Sequence, residues 1–300
     1  MIAPRRVATA LILFVAALAN AAGPTNTVLR LAGLPVLEYR HGDGLIKPYA
    51  AQMFTPAGVA VLRDAPHDHV HHHGLMFAMA VDGVNFWEEN VGCGRQVETE
   101  FVAEGEHLQQ QLEWTDSTGK VRLRETRTVR LEAGEGITLA TWTSVLSAPT
   151  NSAATVLSGS HYHGLGARFV TTMDQGAIFL FPAGAEGAGV RGTERLTPVP
   201  WAAIAGDAGD KPVTFALFYP GRNAIARPPM FTMTAPFAYL SSTLNFWKEP
   251  LALAPGDTLP LTFGVAMWDG RRDAAEIEKA FQDWCTRLSS RERFAAPSPK

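Results

Sequence analysis

Residues 119–131 read GKVRLRETRTVRL, and this stretch decides how the rest of the chain is read. In an extended strand successive side chains point to opposite faces. Val121, Leu123, Val129 and Leu131 therefore share one face, and Arg122, Arg124, Thr126, Thr128 and Arg130 share the other. That alternation belongs to a half-buried β-strand. Glu125 and Arg127 interrupt it by falling on the apolar face. A buried ion pair, an opening in the sheet, or a bulge would each account for them, and a bulge or edge position is the commoner solution.

Working outward, short apolar runs recur at close spacing between 27 glycines and 20 prolines in 300 residues. Strands are predicted at 27–31, 36–39, 58–62, 75–81, 97–102, 108–114, 137–146, 177–181, 213–219 and 259–267. The Ala/Gly-rich residues 182–192 read as a surface loop. One segment is helical. Asp273 and Glu276 form a capping box, and Ile277, Ala280, Phe281, Trp284, Cys285 and Leu288 follow on one face. The expected fold is mainly β, a two-sheet antiparallel sandwich of supersandwich-like type with a C-terminal α-helix at 273–290. One such domain is predicted over 23–292, with a polar tail at 293–300.

The N-terminus reads as an address label. Arg5 and Arg6 precede the apolar residues 8–19, and Ala19-Asn20-Ala21 supplies a small-x-small cleavage pattern. Residues 1–22 are thus expected to be a signal peptide, and the mature protein periplasmic or secreted. No later segment is long and apolar enough for a transmembrane helix. A formal net charge of -3 without a basic stripe excludes nucleic-acid binding. The two cysteines, Cys93 and Cys285, exclude a disulfide scaffold; one bridge or two buried thiols both fit. Oligomeric state is not encoded in any motif.

The chemistry is concentrated in residues 66–74, PHDHVHHHG, which hold five of the nine histidines. If that run is extended, His67, His69, His71 and His73 point one way and His72 the other. A second H-x-H, His161 and His163, precedes Gly164-Leu165-Gly166-Ala167-Arg168, where glycines would let the backbone approach a ligand. Three explanations stand side by side. Neutral imidazoles His69, His71 and His163 could ligate one divalent transition metal as cofactor. The cluster could instead bind a polar small molecule or do acid–base work. It could also be a solvated surface loop.

Trp87-Glu88 within GVNFWEEN, and Trp247 within a second N-F-W-x-E at 245–249, place an indole face beside carboxylates, as a sugar pocket needs. Either tryptophan could equally be core. Arg63, Arg95 and Arg168 are candidates for holding an anionic or polyhydroxy ligand. No G-x-S-x-G, H-E-x-x-H, P-loop, dinucleotide fingerprint or C-x-x-C occurs.

From Arg63 to Gln96 the chain carries D-H-x-H-H-x-G-L-x-F, then D-G-V-N-F-W and G-R. This resembles a bacterial PmoA-like family, the so-called "methane oxygenase PmoA" group. The H-G-L-G-A-R run at 163–168 and the closing W-D-G at 268–270 are similar to it as well. The chain departs from the family pattern at Val70, in place of proline, and at His73, in place of arginine. A membrane-bound oxygenase subunit would need several spanning helices, so the family label is not read as activity. The resemblance implies a galactose-mutarotase-like β-sandwich and an exported protein that meets sugars in an open cleft.

The expected function is therefore an enzyme acting on a carbohydrate or sugar derivative, an oligosaccharide included. His69, His71, His72, His163 and Glu88 would be catalytic. Arg63, Trp87, Arg95, Arg168 and Trp247 would bind substrate. A metal-dependent enzyme using the same histidines and a non-catalytic sugar-binding module are the alternatives.

Overall fold

The decisive stretch forms the strand Val121–Glu132, with Leu123, Val129 and Leu131 buried, in the interior of one of two large sheets. In this computed structural model residues 23–295 are described, except positions 152, 222, 224, 226 and 227. The expected signal peptide and residues 296–300 lie outside the described residues.

The first sheet has nine strands. In spatial order they are β1 (Thr25–Leu31), β2 (Leu34–His41), β3 (Tyr49–Met53), β4 (Leu75–Ala78), β12 (Gly164–Arg168), β19 (Tyr239–Thr243), β18 (Met230–Met233), β15 (Arg195–Thr197) and β14 (Ala188–Gly189). The second sheet has eight: β13 (Ile178–Leu180), β16 (Trp201–Ala208), β17 (Lys211–Phe218), β21 (Thr258–Asp269), β10 (Thr138–Ser147), β9 (Val121–Glu132), β8 (His107–Thr115) and β7 (Arg95–Glu104). A small third sheet joins β20 (Leu251–Leu253), β11 (Thr155–Ser158), β5 (Ala80–Val81) and β6 (Val84–Asn85). The antiparallel sandwich predicted from the sequence is the one observed.

Leu37, Tyr39 and Met53 from the first sheet meet Trp114, Leu123 and Trp142 from the second in one apolar core. A second cluster covers the outer face of the eight-stranded sheet. There Trp201, Phe218 and Trp268 receive Ile277, Phe281, Trp284 and Leu288 of the helix α1 (Ala274–Ala295). The capping box forms as read: Asp273 N–H donates to Glu276 Oε2 (3.0 Å) and Glu276 N–H to Asp273 Oδ1 (2.9 Å). The helix continues to Ala295, past the expected end at 290 and into the predicted tail.

Glu125 and Arg127 correct the preference for a bulge or an edge. β9 is paired on both sides, by β8 and β10, and its register runs unbroken past both residues. They are a fully buried pair at 2.8 Å. Arg127 also donates to the Tyr39 hydroxyl (3.0 Å) and the Pro48 carbonyl (3.0 Å) near the first sheet, and to Gln96 Oε1 (2.9 Å). Glu125 accepts from Trp114 Nε1 (3.0 Å) and Ser144 Oγ (2.6 Å). With that many charge-assisted bonds the pair needs no solvent.

Two predicted strands change. Residues 58–62 make only isolated bridges, because the Gln52 side chain takes their backbone groups. Its Oε1 accepts from Val61 N–H and Leu62 N–H, and its Nε2 donates to the Leu62 carbonyl. Residues 75–81 split at Met79, with β4 in the first sheet and β5 in the small one. The predicted loop 182–192 contains β14, which pairs with β15 as a hairpin at the sheet edge. Among the described residues no helix is long and apolar enough to cross a membrane.

Candidate functional site

The histidine run is not extended. His69 N–H donates to the Pro66 carbonyl (2.9 Å) and His72 N–H to the His69 carbonyl (2.9 Å), two successive turns. The loop is tied to its flanks by Arg63 N–H to the Arg168 carbonyl and by Arg168 N–H to the Gly74 carbonyl. Strict alternation therefore fails. His69, His71 and His72 open onto one cleft, while His73 is held elsewhere and His67 is exposed.

The cleft measures about 380 Å³. It is lined by His69, His71, His72 and Glu88 together with the rings of Tyr162, Phe231, Phe237 and Tyr239, and Phe237 lies against His69 and His72 with ring centres 4.7 and 5.5 Å apart. Arg191 and Glu194, from the β14–β15 hairpin, close one end. These groups come from six separate stretches of chain, converging beside β4, β12, β19 and β18, neighbouring strands in the middle of the nine-stranded sheet. Asn85 sets Glu88 in place: its Oδ1 accepts from the backbone N–H of Trp87 (2.8 Å) and of Glu88 (3.1 Å).

His71 Nδ1 lies 3.3 Å from Glu88 Oε2. Burial lowers the pKa of His71 below its ordinary 6.5, against the opposing pull of Glu88. Burial, with His71 and His69 adding repulsion, pushes His72 down to about 2. Both rings are thus neutral at neutral pH. Burial also raises the Tyr162 and Tyr239 hydroxyls above their ordinary range, so they stay protonated. His72 Nδ1 and the Tyr239 hydroxyl are buried and without a hydrogen-bond partner in the protein. Both residues line the cleft, and buried polar atoms left unpaired in this way call for a partner from outside the chain, a ligand or water.

Beside the cleft, His73 is clamped between two carboxylates. Its Nδ1 meets Asp64 Oδ1 at 2.7 Å and its Nε2 meets Glu89 Oε1 at 2.8 Å. The ring stacks on Tyr49 at 4.0 Å. Burial opposes its charge, but the two hydrogen bonds outweigh burial and raise its pKa. Burial likewise opposes ionisation of Glu89, yet His73 and Lys47 bring it down to about 2. The clamp joins the histidine loop to the segment carrying Glu88.

Several predicted site residues are not on the cleft. Trp87 is fully buried and stacks on His163 at 4.8 Å, so it is core beneath the site, not an open platform. His163 is itself buried, pushed down to about 3 by burial, and unavailable to a ligand in the cleft. Gly166 serves this packing, since a Cβ there would collide with the Tyr239 hydroxyl. Arg168, 1% exposed, lies behind the wall with its guanidinium carbon 3.4 Å from the centre of the Phe237 ring. It braces Phe237 from behind, where contact with a ligand is blocked. Arg63 approaches Asp174 at 3.9 Å in the same supporting layer. Arg95 donates to the Leu45 carbonyl on another face. Trp247 is 42% exposed and meets His161 edge-on at 6.0 Å.

No three His, Cys, Asp or Glu side chains among the described residues are arranged to hold a metal ion, so His69, His71 and His163 do not form the ligand set considered above. Sequence reasoning missed Tyr162, Phe231, Phe237, Tyr239, Arg191 and Glu194. Tyr162 lies inside the H-x-H at 161–163, which drew attention to its histidines and not to the ring between them; the others sit in short strands or turns whose local pattern carries no motif.

Residues 26–282 match the protein family described as "Family of unknown function (DUF6807)". No curated protein matches the sequence. Among solved structures, a galactose mutarotase-like protein from Lactobacillus casei ATCC 334 superposes with a TM-score of 0.50 at 9% identity, covering 81% of this chain and 100% of that one. A galactose mutarotase related enzyme from Lactobacillus acidophilus gives 0.46 at 8% identity, covering 83% and 98%. The galactosidase domain of an alpha-galactosidase–sucrose kinase gives 0.45 at 9% identity, covering 78% and 40%. The Lactobacillus casei structure shows a shared galactose-mutarotase-like sandwich fold.

Proposed function

The chain belongs to the family of unknown function DUF6807, and we propose that it binds a carbohydrate or sugar derivative in the cleft and acts on it by acid–base chemistry. The observation that carries this reading is the neutral His71 beside Glu88, 3.3 Å apart, in a cleft also lined by aromatic rings. Aromatic rings set among hydrogen-bonding groups match a pyranose, with its apolar C–H faces and rim of hydroxyls. The mutarotase-like fold agrees with this reading at the level of architecture only.

In this mechanism the Glu88 carboxylate, 3.3 Å from His71 Nδ1, favours the tautomer that carries its proton on Nδ1. That leaves Nε2 of the ring as proton acceptor for a sugar hydroxyl. Glu88 then holds the imidazolium that forms. The protonated Tyr239 hydroxyl and His72 position the sugar, and Phe237 supplies a ring face. His69, at the rim, is a contact residue. The resemblance to the PmoA-like family and the N-terminal pattern agree with an exported protein meeting its ligand in the periplasm or outside the cell.

The test is proton NMR of the purified protein with a panel of reducing sugars, glycosides and uronates, following anomeric and ring signals. Turnover of at least one sugar is expected, falling about 100-fold or more in His71→Ala and Glu88→Gln. Full turnover in both variants would overturn the assignment. Binding without turnover would leave a sugar-binding module.

A further inference from the structure

Six of the seven tryptophans are at most 6% exposed, and Trp247 alone among them is 42% exposed. Its position is built. Asn245 adopts a left-handed conformation with φ 60, and its carbonyl accepts from Lys248 N–H (3.1 Å) and Glu249 N–H (3.0 Å). Phe246, 5% exposed, anchors the turn while the next residue is turned outward. The same N-F-W-x-E pentapeptide at 85–89 does the opposite and buries Trp87 completely. The exposure of Trp247 is therefore a property of this turn, not of the motif.

What Trp247 stands beside links it to the cleft. His161 meets its ring edge-on at 6.0 Å, and His161 Nε2 contacts Glu194 Oε2 at 3.1 Å. Arg191 donates to the other oxygen of Glu194 at 2.6 Å. Glu194 and Arg191 line the cleft, as does Tyr162, whose ring is 5.1 Å from that of His161. The aromatic wall thus continues past the cleft mouth and ends on an exposed indole. Lys248 and Glu249, next to it in the chain, are exposed, and so is the Arg191 side chain, which reaches it through Glu194 and His161. An open indole with hydrogen-bonding side chains beside it is a stacking platform for a polyhydroxylated ring.

Resting on the carbohydrate reading above, we propose that Trp247, His161 and Arg191 form an outer saccharide subsite, so that the ligand is a glycoside of at least two linked sugar units. One unit occupies the cleft against Phe237 and Tyr239. The next passes Glu194 and stacks on Trp247. A free monosaccharide would leave this outer surface unused.

The experiment is a glycan array carrying mono-, di- and longer saccharides, neutral and uronate, probed with the protein and with Trp247→Ala and Trp247→Phe. Acrylamide quenching of tryptophan fluorescence in solution accompanies it, since Trp247 is the accessible indole. Binding confined to two or more units is expected, about tenfold weaker in Trp247→Ala and partly retained in Trp247→Phe. The bound oligosaccharide should shield Trp247 from acrylamide. Equal binding of monosaccharides and oligosaccharides, or indifference to Trp247→Ala, would overturn the outer subsite and leave the carbohydrate reading standing. Binding of no glycan at all would overturn both.

Discussion

At the level of single residues the site is governed by which histidines are charged. A base must be neutral to act, and burial keeps His71 neutral further into acid than an exposed histidine. The rate constant kcat/KM should therefore be flat through neutrality and fall as pH drops through a value below 6.5. An acid limb centred above 6.5 would contradict the role given to His71. His73 behaves oppositely. Both nitrogens of this ring face carboxylates, an arrangement that an imidazolium satisfies with both carboxylates ionised. Its raised pKa makes the clamp a source of stability present below about 6.5 and lost as pH rises through the folded value. The depressed Glu89 contributes above about 4.5 and is lost as pH falls toward 2. His73→Gln should cost about 1–3 kcal/mol in chemical denaturation between those limits, with the difference from the parent shrinking in alkali. A pH-independent difference would contradict the charged clamp.

At the level of elements, β9 shows what a local pattern can and cannot reveal. Its alternation identifies a strand and its buried face, but Glu125 and Arg127 look like a defect until Tyr39, Gln96, Trp114 and Ser144 surround them. Those partners come from other strands, which no local periodicity reports. Arg127→Met should destabilise the fold by about 3–5 kcal/mol, because Glu125 is left buried and unpaired. The double variant Arg127→Met/Glu125→Leu should recover much of that loss. A double variant as unstable as the single would show that the pair matters for packing alone. The histidine loop teaches the same lesson. Its composition marked the site, yet its turns, not an extended run, decide that His71 and His72 face the cleft. The capping box of α1 was legible because both of its bonds are local. The N-F-W-x-E motif was legible as a pattern and silent about which copy is core.

Over the whole molecule, two sheets and one helix share the burial. Helix α1 covers the face of the eight-stranded sheet away from the main core, with Trp284 fully buried and donating to Thr141 Oγ1 at 2.9 Å. Trp284→Ala should lower unfolding free energy by about 3–5 kcal/mol in a urea titration. A loss below about 1 kcal/mol would mean the helix is not integral to the fold. On the nine-stranded sheet the middle strands β4, β12, β19 and β18 and the loops beside them bring histidines, Glu88 and aromatic rings together. The sandwich was legible because strand alternation and turn residues are local; the cleft wall was not, because its rings come from strands distant in sequence. The measurement that bears most directly on the account is a crystal structure of the protein grown with the saccharides of the panel. It should show a sugar ring against Phe237 and Tyr239, with a hydroxyl in hydrogen-bond reach of His71 and Glu88. A cleft without sugar, or a metal ion held by His69 and His71 in its place, would contradict it.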